Sequence, residues 1–182
     1  MKIAFIPLAL AFASTAALAA PETGTINFYG AVNAAGPCPI EVVDPTTGAP
    51  TRVELGFPYA AQFKTVGDKT PARTFALQIT PVPGVCDIPS GTEVDVSFES
   101  LGGPTGPAND LYKLLPGSTA NLAVSILDKD NTRLAPGDDS VKYQVDELAP
   151  TRMLFSAHYE AIAVPVAEGS ALANVNFTVN LP

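Results

Sequence analysis

The chain has no tryptophan, a single histidine and two cysteines, and only 15% of its 182 residues are charged. One histidine and two cysteines are too few donors for a tetrahedral zinc centre of nitrogen and sulfur ligands. Basic residues are scarce as well: ten Lys and Arg against 18 Asp and Glu, a net charge of −8. That balance excludes a phosphate-tracking surface for nucleic acid and electrostatic docking on anionic lipid. Outside the first 19 residues no stretch keeps apolar residues at helical spacing, which excludes a helical bundle. What is abundant is punctuation, with 18 prolines and 14 glycines, and short apolar alternations lie between them. This is the pattern of many strands joined by turns.

The one long apolar run is at the start. Lys2 precedes Ile3 to Leu18, and Ala17-Leu-Ala19 fits a small-residue cleavage rule, so residues 1–19 read as an export signal cut before Ala20. The run is short and alanine-rich for a membrane span. Export sets an oxidising environment for Cys38 and Cys86, whose one possible intramolecular bridge closes a loop of 48 residues. Such a bridge is worth about 4 kcal/mol in the chain-entropy picture.

The strand candidates follow in order. Thr23 to Ala34 alternates, with Ile26, Phe28, Gly30 and Val32 on one face. Pro39–Val43 is a short apolar run. Arg52–Phe57 is expected to point Val53, Leu55 and Phe57 inward, and Thr74–Thr80 to do the same with Phe75, Leu77 and Ile79. Glu93–Phe98, Asn121–Leu127, Val141–Val145 and Met153–Val164 continue the series, the last with Phe155, Ala157, Tyr159 and Ala161 on one face. Asn109–Leu115 fits a helical turn or a short strand. The chain closes on Val175, Phe177, Val179 and Leu181, alternating with Asn174, Asn176, Thr178 and Asn180. About eight strands make an all-β sandwich. A sandwich that begins with a strand set apart by a linker, and ends on its last strand, raises a choice. The leading strand either pairs within its own domain or pairs with another chain.

Several ordered segments resemble one family. Gly24-Thr-Ile-x-Phe-x-Gly-x-Val32 followed by a cysteine is similar to the start of mature pilins of the chaperone–usher, type 1 fimbrial family. Val53-Glu-Leu-Gly56, Thr74-Phe-Ala-Leu-Gln-Ile79 leading to Cys86, Leu154-Phe-Ser-Ala-His-Tyr-Glu-Ala161, and Gly169 to Val179 resemble its later motifs in the same order. The resemblance implies an incomplete immunoglobulin-like β-sandwich, completed by a donor strand from a neighbouring subunit. It implies residues 20–36 as the donor extension and 37–182 as the pilin domain. Ile26, Phe28, Gly30 and Val32 are then the donor positions, and Val175, Phe177, Val179 and Leu181 belong to the acceptor groove. The implied partners are neighbouring pilin subunits in a homo- or heteropolymer, a periplasmic chaperone and an outer-membrane usher. The implied place is the cell surface, and the implied role a structural one in a fimbria that supports adhesion. The ending Leu181-Pro182 departs from the family's penultimate aromatic.

No cofactor, metal or catalytic residue is expected. His158 should alternate outward toward solvent or a loop, without the nucleophile and orienting carboxylate that a hydrolase needs. Asp128-Lys-Asp-Asn131 has Arg133 and Asp139 where a calcium loop of the EF-hand type needs glycine and glutamate, so it reads as a solvated turn. Asn176-Phe-Thr178 matches a glycosylation sequon but lies inside a strand. Two other functions fit the composition. One is a minor or tip-associated adhesin, although this chain has no room for an added sugar-binding domain. The other is a free exported β-sandwich that binds a ligand.

Overall fold

A computed structural model describes residues 26–31 and 38–181. Among them are eleven strands: β1 (Ile26–Ala31), β2 (Ile40–Val43), β3 (Arg73–Ile79), β4 (Glu93–Ser100), β5 (Pro104–Thr105), β6 (Leu111–Lys113), β7 (Leu122–Leu127), β8 (Arg133–Leu134), β9 (Tyr143–Gln144), β10 (Thr151–Ala161) and β11 (Ala173–Asn180). The one helical element is a single 3-10 turn, Ala60–Gln62. Val32, and with it the far end of the expected donor strand, lies outside the described residues.

The strands form two sheets. One runs β1-β11-β4-β9, the other β2-β3-β10-β7-β6-β5 with β8 beside β7. Their inner faces are fixed by period-two alternation: Val94, Val96 and Phe98 of β4 and Val175, Phe177 and Val179 of β11 are buried between more exposed polar residues. Phe155 of β10 stands at the centre. Its ring lies 5.7 Å from Phe75 of the same sheet, and 5.0 Å and 5.5 Å from Phe98 and Tyr143 of the other. That aromatic group makes one core of the two sheets. Aromatic pairs at these separations add about 0.5–1.5 kcal/mol each beyond the area they bury. The fold is therefore the all-β sandwich expected from the alternation, of the immunoglobulin-like kind that the family resemblance implied.

The bridge between Cys38 and Cys86 is formed, with Cα atoms 4.8 Å apart. It ties the start of β2 to the loop between β3 and β4.

Several local expectations need correction. Arg52–Phe57 forms no strand. Val53 and Leu55 are buried, but Phe57 is 54% exposed, because Gly56 at φ +87° turns the chain away from the extended course that would carry residue 57 inward. The open choice at 109–115 resolves as β6, preceded by Asn109 at φ +56°. The expected strand at 141–145 shortens to β9, and the long strand ends at Ala161 rather than Val164.

His158 is also placed differently. It faces away from the aromatic core, yet is only 4% exposed. Two features beyond its own strand explain this. The segment 67–70 runs beside the end of β10, with the Gly67 N–H donating to Ala161 O and the Thr70 N–H to Tyr159 O. Arg133 of β8 lies over the same face, donating to Glu160 Oε2 at 2.5 Å and to Asp110 Oδ2 at 2.6 Å. The turn at Asp128 is likewise not wholly solvated: Asp128 is buried, and its Oδ1 accepts N–H bonds from Asp130 and Thr132. It is an Asx-type turn whose reverse step falls on Asn131, at φ +61°.

Candidate functional site: the β11 edge

The last strand, β11, is set in place by the segment before it. The Tyr159 hydroxyl of β10 donates to Ala171 O at 2.7 Å. Leu115 N–H donates to Leu172 O, and Thr119 N–H to Ser170 O, both at 2.7 Å. Asn121, at φ +67°, donates from Nδ2 to Pro165 O, and its own carbonyl accepts from Ile162 N–H. Burial pushes the Tyr159 hydroxyl pKa up to about 12, so it stays a donor at any physiological pH. These bonds deliver β11 to the sheet with a fixed register.

On one side β11 pairs antiparallel with β4, from Val175 opposite Ser100 to Asn180 opposite Asp95. On the other side its partner is β1, and this pairing is parallel. Ile26 stands opposite Ala173, Phe28 opposite Val175 and Gly30 opposite Phe177. Phe28 and Gly30 thus lie beside Val175 and Phe177, while Ile26 lies beside Ala173, ahead of the stretch named from the sequence. Val175, Phe177 and Val179 are buried, and Leu181, beyond the strand, is partly buried.

Sequence reasoning left out Ala171 and Ala173, both buried at the start of this edge. The signal was present: two alanines at alternate positions just before a run of Val and Phe mark a place where neighbouring backbone comes close. It also left out Tyr159, Asn121 and Ser118 as the residues that hold β11.

This edge offers two things to a partner. One is the row of N–H and C=O groups on the side of β11 away from β4, which only β1, from outside the bridged domain, pairs with here. The other is the apolar row at alternate positions. Together they suit a strand and little else. Among the described residues no group of three His, Cys, Asp or Glu side chains could hold a metal ion.

The sequence pattern of the family described as fimbrial protein matches residues 26–181. The chain belongs to the fimbrial protein family. It is 29% identical over 180 residues to the long polar fimbria protein A of Salmonella typhimurium, covering 98% of this chain and 96% of that protein. It is 27% identical to a probable major fimbrial subunit, LpfA, of Escherichia coli O157:H7, again over 98% of this chain and 96% of the relative. The fold is similar to that of the P pilus rod subunit PapA, with a TM-score of 0.60 at 16% identity, over 80% of this chain and 99% of that one. As a member of this family the chain is an exported structural subunit of a surface fimbria, not an enzyme.

Proposed function

We propose that this fimbrial subunit polymerises by lending residues 20–36 to a neighbour, with Ile26, Phe28, Gly30 and Val32 lying along that neighbour's β11, and that the fibre supports adhesion. The observation that carries the reading is the β1–β11 register, in which a strand from beyond a linker fills an edge that the domain's own strands leave unpaired. In the single chain the strand runs parallel to β11, bringing Ala31 opposite Thr178. The end of β11 lies at the same end of the sandwich as Cys38. Two subunits exchanging strands in that parallel sense would meet through the same ends and close as a pair. An antiparallel strand from a neighbour carries the donor's domain to the start of β11 instead. That contact joins unlike ends and leaves both outer ends free, which makes an open fibre.

The export signal 1–19 delivers the chain to the compartment where the bridge forms. A periplasmic chaperone would cover the β11 edge until a donor arrives, and an outer-membrane usher would order the exchange. The pilin domain is residues 37–182.

Gly30 tests the reading. It contributes no side chain on the donor face, so the donor backbone can lie close to the groove. Gly30→Arg sets a large charge there. The expected result is chaperone-bound subunit at normal level with few or no fibres, read as loss of the unboiled ladder on a denaturing gel. If Gly30→Arg unfolds the chaperone-bound domain, or if wild-type fibres give no ladder without boiling, strand donation is wrong.

A further inference from the structure

We propose a second contact between successive copies of this chain, separate from the shared strand: the end of the sandwich bearing Phe57, Tyr59 and Val164 seats the opposite end of the next copy, through Val85 and Leu148. The proposal rests on polymerisation by strand donation and deepens it.

The sheets define two ends. β10 finishes at Ala161 and β11 begins at Ala173 at one end, where β7 also begins, since Leu122 stands opposite Ala161. β3 finishes at Ile79 and β10 begins at Thr151 at the other, since these two are paired. Cys38 and the loop carrying Cys86 lie at this second end, as does the turn from β9 into β10.

Eight large hydrophobic residues among those described are exposed. They are not scattered. Phe57, Tyr59, Val66, Leu101 and Val164 lie at the first end: Phe57 lines a cleft with Thr119 and Val166, Gly67 bonds Ala161, and Leu101 N–H bonds Asn174 O. Val85 and Leu148 lie in the two turns of the second end. Only Leu154 lies within a strand. Tyr59 is 74% exposed and Leu148 83% exposed. Seven of eight exposed apolar side chains on two opposite ends, and nearly none on the broad faces, is an arrangement for stacking end on end.

A short linker keeps the two ends close once a strand is lent antiparallel. From Ala31 to Cys38 the chain can span at most about 25 Å. The donor's Cys38 end must then rest near the start of the acceptor's β11, where Phe57 and Val164 are. The contact joins unlike ends, so each copy uses both of its ends once and the fibre continues.

The test places a photoreactive benzoyl-phenylalanine at position 59 in the full chain, assembled into fibres on cells. Irradiation is expected to give boil-resistant dimers whose cross-links map by mass spectrometry to the turns containing Val85 and Leu148. Cross-links to the sheet faces, to the first end of another copy or to an unrelated protein would overturn the proposal, as would intact irradiated fibres with no cross-link. Leu148→Asp gives a second reading. Unassembled subunit should melt as wild type does, while fibres should release subunits at a lower temperature; an unchanged release temperature would also overturn the proposal. Failure of strand donation itself shows separately, as the absence of an unboiled ladder in fibres without the probe.

Discussion

Strands β10 and β11 each lie inside one of the two sheets, and they are completed in different ways. β10 has β3 on one side and β7 on the other, both antiparallel and both from within the bridged domain. β11 has β4 on one side only, and its other neighbour comes from beyond the linker 32–37 and runs parallel. The first strand is held by packing that no other chain can replace. The second is held partly by a strand that another chain could supply. The same hydrogen-bonding chemistry thus builds the bridged domain in one place and holds a strand from outside it in the other.

The comparison can be broken most sharply by removing β1. A chain lacking residues 20–34 should fail to give a stable monomer, and a synthetic peptide of residues 23–34 should restore one, followed as the appearance of a cooperative thermal transition. A truncated chain that melts cooperatively without peptide would mean that β11 is as self-sufficient as β10. The next largest effect belongs to β10. Phe155→Ala removes the ring at the centre of the aromatic core and should cost about 3–5 kcal/mol in urea unfolding. The peptide should not rescue this variant, because the cavity lies among the domain's own strands.

The disulfide should rank close behind. Cys86→Ser frees the start of β2 from the loop before β4, and loss of such a bridge costs about 2–5 kcal/mol. Because the bridge ties one sheet to a loop of the other, peptide should restore part of this stability at most. Yield of exported subunit with and without reductant during folding checks the point.

The smallest effect is a pH dependence on the outer side of β10. Burial is the main cause holding the His158 imidazole below its ordinary value of 6.5; Lys69 and Arg133 add to this, while Glu160, with its Oε2 at 3.5 Å, opposes it. The unfolded chain therefore takes up the proton first. Stability from neutral His158 is complete above pH 6.5 and is lost as the pH falls from there toward the lowered value in the fold. Urea midpoints should drop between pH 7.5 and 5, and His158→Gln should flatten that slope. An identical slope in the variant would assign the acid sensitivity to other groups.

The comparison also explains how much was legible. The alternation at 93–98 and 173–181 is strict because each of these strands has one face in the core and one toward solvent or polar neighbours, so period two survives in the sequence. Where both faces are covered the pattern carries less information about what lies outside the core. β7 is buried along almost its whole length, and His158 lies under Arg133 and beside the 67–70 segment, neither of which is near it in sequence. Phe57 failed for a different reason: one glycine at positive φ changed the direction of the chain just before it.

By itself, the sequence determined the single possible bridge, the all-β class and the two apolar stripes at 26–32 and 175–181. These are set by composition and by the period of the backbone, which are local properties. Only the tertiary structure decided that β1 lies parallel to β11 in register with Ala173 to Thr178, that Asn121 and Tyr159 hold the start of that edge, and that the exposed apolar residues gather at the two ends. Strand partners and covered faces depend on residues far apart in the chain, and no local pattern encodes which of them will meet.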